Sequence, residues 1–304
     1  MMLDVVRCVA IGLLLMAHIA QAVGSPLGGF FGIHNFYYVS FGGLAVTIFL
    51  ILSGMVLELQ YGSRKSSYVL FIIKRCLRIY PIYYMSLLVG ILVYFLGSYR
   101  DSRYLLSGLS KLGVRDLVLS ITGLYAFAGK WGGPFINTSW FIALIMSMYV
   151  LFPFLSRLIK KRPNISIFAL LSISTVSRFI LGRYGILPTR PLDWFPLCRV
   201  FEFSLGIYLA ILLSRSLWHG LNSLRCLRPL VSFISEISFP LFLIHYPLLL
   251  LIYSLTKRGL SLLLAVSVFI VICCTLSWIA VTIDKRIQGL SSKVITEGST
   301  SEDL

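Results

Sequence analysis

Two residues that could do chemistry stand near the start of the chain, in the stretch RCVAIGLLLMAH. Arg7 and His18 are eleven positions apart. In a helix this spacing corresponds to about 16 Å along the axis and to nearly the same direction around it. A histidine, with an ordinary pKa of about 6.5, suits a general base at neutral pH. Arginine stays charged and suits phosphate, so one helix face could hold an anion site and a base.

The same two side chains also have structural interpretations. A histidine deep in an apolar segment is costly, and His18 could simply form a hydrogen bond with a neighbouring helix. Asp4 precedes Arg7 by three positions, which places the two residues on one face where they can pair. The spacing alone does not decide between these uses.

A second pair of cations lies in the segment FIIKRCLRIYP. Arg75 and Arg78 are three positions apart, so a helix places them on one face, where together with Arg7 they could bind phosphate groups. The alternative is that they anchor the chain at the cytoplasmic surface, since cytoplasmic loops of membrane proteins are rich in Lys and Arg.

Three further residues are candidate substrate contacts. Glu202 follows Arg199 by three positions, so it either forms an ion pair within the membrane or contacts substrate through its carboxylate. His245 precedes a proline in IHYP and either makes a structural hydrogen bond or contacts substrate. Trp140 either anchors its helix at the membrane interface or contacts substrate through its indole ring.

Membrane helices must position these residues, because the chain is too apolar for a water-soluble fold. Of its 304 residues, 58% are hydrophobic and 12% are charged, and the mean hydropathy is +0.90. Soluble domains are about 45–50% apolar and about 25% charged. Apolar runs of spanning length recur without strict alternation, which indicates helices rather than a membrane β-barrel.

The net charge of +16 lies mostly between the apolar runs. This pattern is typical of cytoplasmic loops, and no basic module of a known nucleic-acid-binding fold is present, so we expect no nucleic acid partner. The six cysteines have no metal-ligand spacing, and we expect no metal. Ala20-Gln21-Ala22 resembles a signal-peptide cleavage site, but Asp4 and the polytopic sequence that follows favour a retained first span.

The sequence predicts an all-α, polytopic transmembrane bundle of eight to ten spans over residues 1–288, followed by a polar, disordered tail at 289–304. An interfacial amphipathic helix is expected before the third span, which should begin near Pro81. The assigned spans are at about 3–23, 36–61, 81–96, 139–159, 165–181, 195–213, 230–253 and 260–283.

Charge placement predicts that both termini are cytoplasmic and that the protein lies in the cell (inner) membrane. The loop at residues 24–35 has no Lys or Arg, whereas the segments after the second and fourth spans are basic. This arrangement requires an even number of crossings, or none, between residues 98 and 138. The short apolar segment at 114–128 is therefore expected to be re-entrant or to have an unrecognised partner.

The opening LDVVRCVAIGLLLMAH, with its Arg-x10-His spacing, resembles the first helix of the acyltransferase-3 family of integral membrane acyltransferases. FIIKRCLRIYPIYY (71–84) is similar to the family's Arg-x-x-Arg segment. Four more stretches resemble later family helices in the expected order: FGGLAVTIFLILSGMVL (41–57), TSWFIALIMSMYVLFPFL (138–155), RVFEFSLGIYLA (199–210) and ISFPLFLIHYPLLL (237–250). One departure is that many members have a glutamate in the Trp-led helix, and Trp140–Tyr149 contains none.

The resemblance implies transfer of an acyl group, commonly acetyl, from cytoplasmic acyl-CoA to a sugar hydroxyl of a cell-envelope glycan or lipid-linked sugar. Arg7, Arg75 and Arg78 would bind CoA, and its pantetheine arm would follow a single path from Arg7 to His18. His18 would then act as general base or take the acyl group itself. As substrate contacts, Glu202 would orient hydroxyls of the acceptor and Trp140 would stack on its sugar ring.

Two other functions remain open. A transporter or flippase could use His18, Glu202 and His245 as a proton or substrate relay, although no inverted repeat is evident. The missing glutamate also allows a catalytically inactive relative that acts as a receptor.

Overall fold

The structure is a computed structural model that describes residues 1–23, 41–62, 67–99, 113–128, 132–185, 191–213 and 228–300. For residues 97–99 and 290–300 the structure describes the backbone alone. The described residues form helices and short turns, with no β-strand among them. The helices are α1 (Met2–Ala22), α2 (Phe41–Tyr61), α3 (Tyr68–Tyr99), α4 (Val114–Thr122), α5 (Trp140–Lys161), α6 (Pro163–Tyr184), α7 (Pro191–Trp194), α8 (Pro196–Leu212), α9 (Arg228–Lys257) and α10 (Leu262–Thr300).

Eight of the described helices are long and apolar enough to cross a membrane, which confirms the predicted all-α polytopic class. α4, with nine residues, is too short to span and is followed by a 3-10 turn at Tyr125–Ala128. Large apolar side chains such as Leu88, Phe168 and Leu263 are more than half exposed, as expected for surfaces that face lipid. The expected start of the second span at residue 36 and the loop at residues 24–35 lie outside the described residues.

Two expected boundaries are absent. Pro81 lies inside α3, which is one continuous helix, so the amphipathic segment before it is not a separate interfacial helix. Membrane helices tolerate an internal proline because their surroundings can satisfy the backbone group that it frees. The last helix also continues to Thr300, where a disordered tail was expected from residue 289. Extending an existing helix is much easier than nucleating one, which explains this continuation.

The centre of the bundle depends on a close crossing of α2 and α8. A Cβ on Gly54 would lie 2.0 Å from the carbonyl oxygen of Phe203, and one on Gly206 would lie 1.9 Å from that of Ile51. Small residues allow two backbones to approach in this way, which is a common device of membrane helices.

α1 packs against both α2 and α9, and this position directs its functional side chains inward. Ile11 and Leu14 are buried on the interior face, and Arg7 and His18 lie on the same side of the helix, toward cavities rather than toward lipid. α9 also contacts α3 and α10, so it borders every cavity described below.

Candidate functional site

A cavity of about 500 Å³ contains the three arginines that the sequence singles out, and we call it the arginine cavity. Arg7, Arg75 and Arg78 all line it, although they come from two different helices, α1 and α3. The other lining residues come from one end of the bundle: the beginning of α9, the ends of α2 and α10, and the adjoining face of α5.

Arg7 is held at this cavity by a small polar network. Its Nη1 lies 3.4 Å from Oδ1 of Asp4, which is the pairing that the three-residue spacing predicts. Ser235 of α9 joins the pair: its hydroxyl donates to Asp4 at 2.8 Å and lies 3.4 Å from Nη1 of Arg7. The terminal amine of Met1 lies 3.1 Å from the same carboxylate. The carboxylate of Asp4 is therefore shared between Arg7, the hydroxyl of Ser235 and the amine of Met1.

Arg75 is almost fully buried, with 7% of its surface exposed. Its Nη2 donates to the hydroxyl of Tyr61 at 2.8 Å, and its guanidinium lies 4.9 Å from the centre of that ring. Its Nε is buried and has no hydrogen-bond partner within the described part of the chain. An unsatisfied buried donor costs about 1–3 kcal/mol, so this atom is suited to a bound acceptor.

Arg78 is exposed at the same cavity, one helical turn from Arg75. Among the described residues, neither arginine has a carboxylate within ion-pair distance, whereas Lys285 at the cavity edge pairs with Glu236. The two arginines therefore form no ion pair with the described residues, although Asp284 of α10 lines the same cavity and interacts electrostatically with Arg78.

His18 lies at a second, smaller cavity of about 110 Å³, which we call the histidine cavity. The polar side chains around it come from several helices and can donate or accept hydrogen bonds. They are Gln21, Asn137, Thr138, Asp193, Arg199 and Tyr246. His18 also borders a third cavity of about 620 Å³, whose other walls are mainly apolar, between α3 and α9.

His245 contacts His18 directly. Nδ1 of His18 lies 2.7 Å from Nε2 of His245, and Nδ1 of His245 lies 3.0 Å from the carbonyl oxygen of Leu241. The ring of His245 is completely buried, with 0% exposure. The hydrogen bond that the sequence allowed for His245 is present, and one of its partners is His18.

Phe242 separates the arginine cavity from the histidine cavity, because its side chain lines both. Its ring packs against Phe141 and Phe49, with centroid distances of 4.8 and 5.9 Å. In the described structure Arg7 and His18 therefore line different cavities that share one wall. This is a correction to the expected single path between them, and its physical cause is the packing of three aromatic rings.

Glu202 forms a buried ion pair, one of its two predicted uses. Its Oε1 lies 3.0 Å from Nη1 of Arg199 and 2.6 Å from Nη2 of Arg178 on α6. Arg199 also donates to the hydroxyl of Thr47 on α2 at 3.2 Å. Both guanidinium groups bind Oε1, whereas Oε2 is buried and has no hydrogen-bond partner among the described residues. The two adjacent positive charges disfavour protonation of this carboxylate, so Glu202 is poorly placed for a proton relay with the two histidines.

Trp140 is 8% exposed and lines the histidine cavity, so it does not lie at the lipid interface as an anchor would. Sequence reasoning did not identify Arg178, Ser235 or Phe242. Arg178 alone had a usable signal, namely a cation within an apolar segment. Among the described residues, no group of three or more His, Cys, Asp or Glu side chains could hold a metal ion.

Comparison with known proteins gives two matches. A family model described as "Acyltransferase domain", Acyl_transf_3, matches residues 2–226. A relative named "Acyltransferase MdmB", from Streptomyces mycarofaciens, is 28% identical over 210 residues, which cover 60% of this chain and 50% of that protein. The aligned region is thus about half the length of this relative. No solved structure matches the chain.

Proposed function

Because the chain belongs to the acyltransferase-3 family and is a membrane acyltransferase, we propose that it moves an acyl group, such as acetyl, from cytoplasmic acyl-CoA to a hydroxyl of a cell-envelope glycan or lipid-linked sugar. The observation that carries the proposal is the pair of adjoining cavities. Three arginines line one, His18 lines the other, and Phe242 lies in both walls.

The arginine cavity is the proposed donor site. CoA is multiply anionic, and guanidinium groups bind phosphate through strong, charge-assisted hydrogen bonds. Arg75 offers a buried Nε–H donor, and Arg78 adds an exposed positive charge one turn away. Arg7, held by Asp4 and Ser235, contributes a third cation from α1.

His18 is the proposed general base. It takes the proton of the acceptor hydroxyl as the hydroxyl oxygen attacks the carbonyl carbon of the thioester. The carbon–sulfur bond then breaks, and the CoA thiolate leaves with the proton that the imidazole had accepted. The polar side chains of the histidine cavity, with Trp140 beside them, match the hydroxyl groups and the ring faces of a sugar.

For this chemistry the acyl group must reach His18, so the proposal includes movement of the Phe242 ring away from the shared wall. The two cavities already adjoin at this side chain, and no helix separates them there. A rotation of one aromatic ring is a small, fast motion compared with helix movement.

We assign the arginine cavity to the cytoplasmic side of the cell (inner) membrane, with both termini on that side. The cavity is lined by the beginnings of α1, α3 and α9 and by the ends of α2 and α10, and the basic end of α5 leads toward the same side. A topology reporter fused after Leu304 should report the cytoplasm; an external signal would contradict the assignment.

The test uses purified protein in nanodiscs with labelled acetyl-CoA and a glycolipid extract of the host membrane. We expect label in the extract and release of free CoA thiol, and we expect His18→Ala to abolish both at unchanged protein level. Met16→Ala, an exposed position on the same helix, is the matched control. Undiminished transfer by His18→Ala would remove His18 as the base.

The same preparation separates the enzyme from a transporter. Flux of a glycolipid across the membrane without any acyl-CoA would support transport, whereas label transfer that requires acetyl-CoA supports the enzyme. The two guanidinium contacts of Glu202 already argue against the relay that a transporter would need.

A further inference from the structure

His245 and His18 meet edge to edge. Their ring planes differ by 16° and their centroids are 4.9 Å apart, yet the two nearest nitrogens are only 2.7 Å apart. A face-to-face stack would keep its closest atoms near the separation of the centroids. The rings therefore lie almost in one plane, which is the geometry of a hydrogen bond between them.

A backbone carbonyl determines where the protons of this pair lie. The carbonyl oxygen of Leu241 can only accept a hydrogen bond, so Nδ1 of His245, 3.0 Å away, must carry a proton. A neutral imidazole has one N–H, which leaves Nε2 of His245 as an acceptor. The 2.7 Å contact needs one proton, and it must then come from Nδ1 of His18.

The neutral ring is the appropriate form of His245. Its side chain is completely buried, and a positive charge in such a place is costly unless it is paired. Among the described residues, the rings in contact with it are those of His18, Phe242 and Tyr246, and no carboxylate forms an ion pair with it.

We infer that His245 is a positioning residue that fixes the tautomer of His18. With its proton held on Nδ1, neutral His18 has its lone pair on Nε2, the form that a general base requires. This inference deepens the proposed function and rests on it for the catalytic consequence. The tautomer itself follows from the hydrogen bonds alone.

The turn of α9 that contains His245 is held in place by a contact with Thr138. Pro247 has no N–H, so it cannot bond to the carbonyl of Leu243 four residues earlier. The hydroxyl of Thr138, just before α5, lies 3.3 Å from that carbonyl oxygen and satisfies it. Pro247 thus leaves a backbone carbonyl free to bind Thr138, and this contact fixes the position of α9 along its axis beside His18.

Two substitutions at one position test the inference. In His245→Gln, the side-chain amide oxygen can accept from Nδ1 of His18 near the place of the imidazole Nε2, whereas His245→Leu leaves no acceptor. We expect His245→Leu to lower kcat for CoA thiol release from acetyl-CoA by about 10- to 100-fold, the range found when the partner of a metal-binding histidine is removed. KM for acetyl-CoA should stay unchanged, and His245→Gln should recover most of kcat.

Equal losses in the two variants, or no loss in either, would overturn the role of His245. Thermal unfolding of both variants shows whether packing alone has changed, since both lack the imidazole. The Gln–Leu comparison at matched folding then isolates the acceptor.

A second measurement does not depend on activity. Nitrogen NMR of protein labelled at its four histidines distinguishes protonated from unprotonated ring nitrogens. We expect His18, assigned by its loss in His18→Ala, to carry its proton on Nδ1, and this preference to disappear in His245→Leu. A proton on Nε2 of wild-type His18 would overturn the inference. If His18 shows the expected tautomer but the protein transfers no acyl group, the proposed function is refuted and the hydrogen-bond assignment still holds.

Discussion

Removal of the Arg75 guanidinium should weaken acyl-CoA binding far more than removal of its neighbour's charge. Arg75 lines the arginine cavity and has a buried Nε without a partner among the described residues, whereas Lys74 is exposed on the same helix and does not line that cavity. Arg75→Ala and Lys74→Ala remove the same charge one residue apart. They therefore separate phosphate binding from general anchoring of the chain by positive charge.

The expected size follows from the contact that is lost. A hydrogen bond to a charged group contributes about 1.5–3 kcal/mol. At about 1.4 kcal/mol per tenfold change, the dissociation constant for CoA should rise about 10- to 150-fold in Arg75→Ala. Arg75→Lys keeps the charge without the planar fork, so it should lie between this variant and wild type. Lys74→Ala should change the constant less than about threefold, as expected for a screened surface charge.

Calorimetric titration of CoA into protein in nanodiscs measures the constant directly and avoids the kinetic terms in KM. Tyr61→Phe controls for the structural role of Arg75, because it removes the 2.8 Å hydrogen bond between the two helices and keeps the guanidinium. Similar weakening by Lys74→Ala and Arg75→Ala would refute the phosphate site in favour of anchoring. Unchanged binding in Arg75→Ala would refute it outright.

Three further predictions concern the wall, the buried ions and the helix crossing. Phe242→Ala removes the ring that both cavities share and should raise acetyl-CoA hydrolysis in the absence of acceptor, whereas a rate no higher than that of wild type would contradict a gating role. Glu202→Gln leaves Arg178 and Arg199 without their shared carboxylate, so it should lower the free energy of unfolding by about 3–5 kcal/mol and lower the Tm. Glu236→Gln breaks a more exposed ion pair and should cost less than about 1 kcal/mol. Gly54→Ala should destabilise the protein by about 1–3 kcal/mol or more, because the added Cβ would meet the backbone of Phe203. Gly12→Ala, whose Cβ would have no atom within 4 Å, should be neutral or stabilising. Equal Tm values for these two variants would contradict the close crossing of α2 and α8.

The membrane helices could be predicted from the sequence because they depend on local composition. A run of about 20 apolar residues must satisfy its backbone within itself in lipid, so hydropathy alone finds it. The pairing of Asp4 with Arg7 was also local, since residues three apart share a helix face. The prediction that a helix begins near Pro81 is wrong, because the local preference of proline for helix starts does not decide the outcome inside a membrane bundle. There the surroundings can satisfy the backbone group that the proline leaves free, and α3 continues through it.

The chemistry of the site could be predicted only as far as it remained on one helix. His18 and His245 are 227 positions apart, and no periodicity relates α1 to α9 before they pack. Phe242 looks like any other aromatic residue of a span, and only its place between two cavities gives it a possible function.

Glu202 shows why polar residues in membrane helices need their tertiary partners before a role can be assigned. Its spacing from Arg199 allowed two uses: an ion pair with Arg199, or a carboxylate free to orient hydroxyls if Arg199 bound another group. Arg178, from a different helix, places a second guanidinium 2.6 Å from the same oxygen, so two cations from two helices balance the charge of this carboxylate, although its Oε2 has no hydrogen-bond partner among the described residues. His18 differs because its partner, His245, is a buried ring rather than a charged group, and the hydrogen bond between them places the proton of His18 on Nδ1. A buried polar residue in lipid can therefore be assigned to structure or to catalysis only when the charge of its partners is known.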